Sequence, residues 1–287
     1  MGDLLIGSDL KTAQRLCFCG GLAGRIGAST KLMIFKCGKC KTLQATFFQR
    51  AQGESWNELH ATKSFLASLQ FRREEQAKHL VRAIKRAKFD QPILDYGCGQ
   101  GVFVSTAVIN GLAIIGVDLN PQLSDKNIFK LSKPWEIPQR TWRSVVLLDV
   151  LEHHESPVEF VQSIKANQLL LKVPSSSGPS AAVARVLFLF HFPRLLERLF
   201  LSDDPHPHYW LFSKEGVRSL GLKAGYPVVR TIRLAEFGRE LASRSRIRQG
   251  QLLWQFFCIV GWANEFFGKY WSDTTVSIFL RAPTDEN

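Results

Sequence analysis

Three glycines and two carboxylates carry the clearest chemistry in the sequence. Asp95 is followed by Gly97, Gly99 and Gly101, and a second acid, Asp118, stands 23 residues beyond the first. Glycine reaches positive φ without a Cβ penalty and lets a ligand approach the backbone closely. An acid behind the next strand can accept hydrogen bonds from ribose hydroxyls, so the set suits a ligand containing adenosine. A nicotinamide cofactor calls for a further glycine at the sixth position of its fingerprint, where this sequence has Val102. Candidate proton acceptors lie further along: Asp149, His153, His154, His206, His208 and Tyr209. Histidine titrates near neutral pH, as a general base should. Asp203, Asp204, His206 and His208 have the composition of a metal site, but Pro205 and Pro207 make an extended loop of them.

Four cysteines form a second constellation. Cys17 and Cys19 make one tight pair, Cys37 and Cys40 another, with 17 residues between the pairs. Paired knuckles at this separation suit a tetrahedral Zn²⁺, and four thiolates with no open position make such a site structural. About 40 residues cannot build a sufficient core alone, so metal stabilisation is physically reasonable there. Disulfides are the rival reading, and the absence of any export signal argues against them. The first knuckle is C-x-C-G where C-x-x-C-G is usual, which leaves a metal-free ribbon as the alternative. Cys98 and Cys258 read as small buried residues.

These groups need elements to hold them. Apolar, β-branched runs occur near 92–95, 113–118, 144–149, 167–173, 227–233 and 274–281. Amphipathic helical patterns alternate with several of them, which predicts crossover connections and an α/β fold with a mostly parallel sheet covered on both faces. Asp95, Asp118 and Asp149 all fall at predicted strand ends, around the one crevice where such sheets bind ligands. Residues 56–88 read as a helix, with Phe65, Leu69, Leu80, Val81 and Ile84 on its apolar face. Its charged face is either a solvated surface or a basic lid over the crevice. The expected organisation is a zinc-ribbon-like Cys segment over 1–50, a basic linker helix over 51–90, and a catalytic domain over 91–287. Insertions near 178–212 and 237–270 are expected to cap the acceptor side.

The glycine loop behind Asp95 resembles motif I of the class I S-adenosylmethionine (SAM) methyltransferases, in their type 11/23 branch. Gly116-Val117-Asp118-Leu119-Asn120-Pro121 resembles the second motif. Val145 to His153 resembles the fourth strand with its D-V-L-E-H turn. His208 to Ser213, with Gly216 and Gly225-Tyr226 behind it, resembles the segment after the fifth strand. The resemblance covers roughly residues 90 to 282. It implies a Rossmann-like fold, a seven-stranded sheet whose last strand is antiparallel, and SAM as cofactor. It further implies that Asp95 anchors the loop and the SAM amino group. Gly97, Cys98, Gly99 and Gly101 would pass the methionine moiety, and Asp118 would hold the ribose with Leu119 beneath the adenine. Asp149 would lie where methionine and acceptor meet. No acid occurs in 128–133 for the adenine amine, which leaves backbone groups or Ser132. A Cys ribbon before such a core resembles bacterial enzymes of cell-surface sugar, polysaccharide and secondary-metabolite pathways.

Charge and apolar content bound the partners. Residues 1–90 carry 16 Lys and Arg against 7 Asp and Glu, whereas the remainder carries 21 against 18. The basic surplus therefore belongs to the first third, and nucleic acid, an anionic membrane face or an acidic substrate all fit it. Residues 1–5 lack a basic leader and Ile6 replaces the Ser or Thr of a myristoylation signal, so a cytoplasmic protein is expected. Within the apolar stretches 181–200 and 252–267 each uninterrupted apolar section is under ~18 residues, too short to span a bilayer. They read as core or cap packing, or as a surface peripheral to the inner membrane face beside Arg185, Arg194, Arg198 and Arg244. The leading expectation is methyl transfer to a small-molecule or glycolipid hydroxyl, on a sugar or lipid-linked glycan. An RNA methyltransferase and a non-catalytic SAM- or partner-binding module are the rivals. Nucleic acid is the weaker, because the ribbon lacks stacking aromatics and the core lacks an N-P-P-Y-like motif.

Overall fold

The computed structural model describes residues 13–29, 31–48, 63–121, 125–133, 142–189, 199–201, 207–232 and 272–281. Two sheets organise them. The larger has seven strands: β5 (Ile93–Tyr96), β6 (Ile114–Asp118), β7 (Ile128–Lys130), β8 (Ser144–Leu148), β9 (Gln168–Pro174), β11 (Val228–Ile232) and β12 (Thr274–Leu280). Their order is β11-β12-β9-β8-β5-β6-β7. The five strands from β9 to β7 run parallel, and β12 lies antiparallel between β9 and β11. This is the mostly parallel seven-stranded sheet of the Rossmann-like methyltransferase fold. The order reverses at β5, whose neighbours β6 and β8 both follow it in the chain, so the switch point lies at its carboxyl end.

The strands are apolar on both faces because both are covered. Leu169, Leu170, Leu171 and Val173 of β9 are all fully buried. On one face α1 (Lys63–Ala87) and α2 (Val102–Ile109) seal the sheet, with Leu80, Val81 and Ile84 against Phe103, Val104 and Ala107. Those three α1 residues belong to the predicted apolar face. On the other face lie α3 (Pro157–Ser163) and α5 (Lys214–Lys223), where Phe160, Val217, Leu220 and Tyr226 close the core. Tyr226 is buried, and its hydroxyl donates to Ala166 O at 2.9 Å.

The smaller sheet is antiparallel, in the order β1 (Gln14–Leu16), β2 (Leu22–Ala28), β3 (Leu32–Cys37), β4 (Leu43–Phe47) and β10 (Trp210–Leu211). Its fifth strand therefore comes from far along the chain. Leu32, Ile34 and Leu43 share a cluster with Ala184 of α4 (Pro179–Leu189), Phe200 and Leu211. The apolar residues Ala184 and Phe200 thus pack on the N-terminal ribbon, while Val183 and Val186 of α4 stay exposed. At the join, Gly216 permits a contact that no side chain would: an added Cβ would lie 2.0 Å from Thr42 Oγ1. Ser213 caps α5 by accepting from Gly216 N–H at 2.8 Å, and its hydroxyl also bonds Cys40 O.

Candidate active site at the strand ends

The loop between β5 and α2 turns on left-handed glycines: Gly97 has φ 75°, Gly99 52° and Gly101 69°. An added Cβ on Gly97 would meet Val150 Cγ2 at 2.6 Å, so a side chain there would clash as well as strain. Nothing approaches within 4 Å of such an atom on Gly99, so the loop is open at that residue. Gly101 accepts from Ser105 N–H at 2.9 Å and starts α2. The Cys98 thiol turns inward over Gly116, which has no Cβ to obstruct it. Burial pushes that thiol upward in pKa.

Asp118 ties the loop to the end of β6. Its Oδ2 accepts from Gly99 N–H at 2.8 Å and its Oδ1 from Asn120 N–H at 2.9 Å. A carboxylate offers about four lone-pair sites, so two remain for hydroxyl donors. Leu119 packs partly buried beside it, and Ser132 is exposed just beyond β7. From the other side, Arg73 of α1 donates to Gln100 Oε1 at 3.1 Å, bringing a basic helix to the glycine loop.

Asp95 is 1% exposed, and neither carboxylate oxygen has a hydrogen-bond partner. Burial first, then the charge of Asp118, pushes its carboxyl up to about 8. A buried, orphaned acid beside an open glycine loop is a fit for a cationic donor such as the ammonium of a methionine moiety.

The end of β8 forms the neighbouring wall. Asp149 adopts φ 56°, unusual for a residue with a side chain. Its Oδ2 accepts from Lys172 Nζ at 2.5 Å, and its N–H donates to Lys172 O at 3.0 Å. Lys172 is the charged residue within the buried run of β9, a position that sequence reasoning passed over. The signal was available, as a lysine inside Leu169-Leu170-Leu171-Lys172-Val173 needs a partner.

A short 3₁₀ turn, Leu151–His153, follows. His153 and His208 come together there, ring centroids 4.8 Å apart and tilted by 56°. His153 Nδ1 lies 3.2 Å from Pro207 O and His208 Nδ1 2.9 Å from Leu199 O. His154 takes a different task. Its Nδ1 accepts from Ser156 N–H at 3.0 Å ahead of α3, and its ring stacks on Phe160, where burial lowers its pKa. Tyr209 packs edge-on against Phe47 of the ribbon. Asp203, Asp204 and His206, like the expected cap at 237–270, its apolar stretch and Cys258, lie outside the described residues.

The four cysteines converge. Cys17, Cys19, Cys37 and Cys40 are buried, and their Sγ atoms all lie within 4.8 Å of one another. The Cys17–Cys40 pair is 3.7 Å apart and the Cys19–Cys37 pair 3.5 Å. Four sulfurs at about 2.3 Å around a tetrahedral zinc would be separated by about 3.8 Å. The thiols are free of disulfides, and Gly21 and Cys40 donate backbone N–H groups to Cys19 and Cys37 at 3.4 Å each. The hydrogen bond that Cys17 and Cys40 share lowers the Cys40 thiol and raises that of Cys17, and burial raises Cys19, so a metal rather than the apo environment would have to draw all four to thiolate. The residues present fit a structural Zn²⁺.

A family model described as a methyltransferase domain matches residues 68–231. A SAM-dependent methyltransferase from Archaeoglobus fulgidus has a similar structure, at 18% identity over 77% of this chain and 100% of that one, with a TM-score of 0.47. Magnesium protoporphyrin IX methyltransferase from Synechocystis PCC 6803, solved with bound SAH, is similar at 12% identity over 79% and 93%, with a TM-score of 0.46. Mycolic acid cyclopropane synthase complexed with SAH is similar at 18% identity over 65% and 76%, with a TM-score of 0.42. No curated protein matches the sequence.

Proposed function

This chain belongs to the SAM-dependent methyltransferases, and we propose that its acceptor is a hydroxyl group on a sugar or a lipid-linked glycan. The observation that carries the proposal is the imidazole pair formed by His153, on the turn that follows β8, and His208, just ahead of β10. A hydroxyl must lose its proton during transfer, and its pKa lies far above neutrality, so the site needs groups that handle that proton. Both histidines direct Nδ1 at a backbone carbonyl, which makes Nδ1 the donor and leaves the lone pair on Nε2.

Bound SAM supplies a methyl group already activated on a sulfonium. The chain's own residues then have three tasks. The glycine loop, Asp95 and Asp118 bind and orient the cofactor. The Asp149–Lys172 pair fixes the wall between methionine and acceptor. His153 and His208 hold the acceptor side. Alignment of this kind contributes much of the rate in an in-line displacement. The exposed Val183 and Val186 of α4, beside Arg185, support a lipid-linked acceptor over a fully aqueous one. The cysteine cluster is proposed to hold zinc that braces the ribbon against α5.

Methyl transfer from labelled SAM to a panel of nucleotide sugars, glycolipids and structured RNA tests the reading. Label in a glycan fraction, lost in an Asp118→Ala variant, supports it. Label confined to RNA, with a steep salt dependence, overturns it in favour of the nucleic-acid alternative.

A further inference from the structure

We infer a second metal site, distinct from the cysteine cluster, formed by Glu152, His153 and His208 and suited to a divalent first-row transition ion. One ligand atom from each of the three lies within 4.8 Å of the others. Glu152 is 1% exposed, whereas the two imidazoles are half-buried, so the trio has a closed floor and an accessible side. A buried carboxylate is kept with charged or hydrogen-bonding partners, and an ion held jointly with the two imidazoles would be one of them.

The orientation of the rings is the second observation. Metal-bound imidazoles characteristically donate their other nitrogen to a carbonyl or carboxylate, which fixes tautomer and direction. Here each Nδ1 does this, to Pro207 O and to Leu199 O, so the opposite nitrogens hold the lone pairs. The rings are tilted by 56°, as two ligands converging on one point would be and stacked rings would not. A backbone bond from Tyr209 N–H to Glu152 O, 2.7 Å long, staples the two segments that contribute the ligands.

Two nitrogens and one oxygen select the ion. Mg²⁺ and Ca²⁺ prefer oxygen-rich shells, whereas two imidazoles with one carboxylate suit Fe²⁺, Co²⁺ or Zn²⁺, with Mn²⁺ the weakest binder of the series and so the most stringent probe. Three protein ligands leave open positions, the mark of a catalytic rather than a structural site. This deepens the hydroxyl-acceptor reading and rests on it for the role of the ion, though not for its binding. An ion there would take the acceptor hydroxyl as a further ligand and lower its pKa. The proton leaves to water, an oxygen lone pair forms the O–CH₃ bond, and the S–CH₃ electrons return to sulfur. The sulfonium thereby becomes a neutral thioether. With an ion bound, His153 and His208 would act on the acceptor proton through the metal, by lowering the hydroxyl's pKa, and the same Nε2 lone pairs would serve as its ligands.

The test uses the full chain, with one equivalent of Zn²⁺ already on the cysteine cluster so that added ions report the second site. Mn²⁺ is titrated in while its free paramagnetic resonance signal is followed, and Co²⁺ is added in parallel while the visible spectrum is recorded. The expected result is one Mn²⁺ per chain at micromolar concentration, and a Co²⁺ ligand-field spectrum without thiolate charge transfer. His208→Ala and the nearly isosteric Glu152→Gln should each weaken Mn²⁺ binding at least ~10-fold, with SAM affinity retained as evidence of folding. Wild-type protein that binds neither ion at millimolar concentration overturns the site. So does binding that both variants leave unchanged, or a Co²⁺ spectrum dominated by thiolate. Metal bound at these residues with no transfer to any hydroxyl would instead overturn the acceptor reading and leave the site standing.

Discussion

Replacing Asp95 by asparagine should stabilise the SAM-free protein, by an amount that grows with pH. Asp95 is fully buried, its oxygens lack hydrogen-bond donors, and burial together with Asp118 lifts its carboxyl from 3.8 to about 8. Between those two values the folded state holds a proton that the unfolded state has released. Stability is therefore fully present below about pH 4 and is lost progressively as pH rises toward 8. At 1.36 kcal/mol per unit the loss reaches about 4 kcal/mol by pH 7, a large share of the roughly 5–15 kcal/mol that holds a domain folded. Asparagine has the same shape and is neutral throughout, so the variant escapes this loss. Urea unfolding of both proteins from pH 5 to pH 8 reads the difference, in which all other titrating groups cancel. The gap in favour of Asp95→Asn should widen by about 3–4 kcal/mol across that range. Parallel curves would refute the reasoning. The acid has a use only when a cation arrives. If the SAM ammonium meets it, binding must expel a proton, and the heat of binding must then vary with the ionisation enthalpy of the buffer. The variant should bind SAM more weakly and lose that dependence.

Four further outcomes follow from the geometry. Asp118→Ala removes the acceptor that holds Gly99 N–H, and should weaken SAM binding by at least ~10-fold in calorimetry, charged hydrogen bonds being worth about 1.5–3 kcal/mol. Lys172→Met should leave SAM affinity within about threefold and lower kcat by at least ~10-fold, because it frees a wall residue and not a cofactor contact; unchanged turnover would remove Lys172 from the site. Gly216→Ala would place a methyl 2.0 Å from Thr42 Oγ1, and chemical denaturation should show a loss of about 1–3 kcal/mol. Zinc stripped by a chelator should lower Tm by at least ~5 °C and be restored by zinc alone, whereas a Tm indifferent to chelation means a metal-free ribbon.

The strands of the large sheet were legible because parallel sheets bury both faces, and the six predicted runs match β5, β6, β8, β9, β11 and β12 to within a residue or two. The glycine loop and Asp118 were legible because their chemistry is local. What escaped is non-local. Glu152 and His208 stand 56 positions apart and are brought together by tertiary bonds such as that from Tyr209 N–H to Glu152 O. The two residues of β10 carry no periodicity at all, so their pairing with β4 leaves no trace in the chain. Charge counting found the basic first third but could not show that Arg73 reaches the glycine loop.

That last strand of the small sheet has a consequence for how the protein is made. The ribbon leaves the ribosome before the core, and β4 gains its outer partner only when Trp210 and Leu211 emerge, more than 160 residues later. At synthesis rates of about 5–20 residues per second, the edge of β4 stays open for roughly ten to thirty seconds. An unpaired edge is a template for the wrong neighbour. Metal capture by the four cysteines would order the nascent ribbon without closing that edge, so the hazard lasts until Trp210 and Leu211 arrive to seal it.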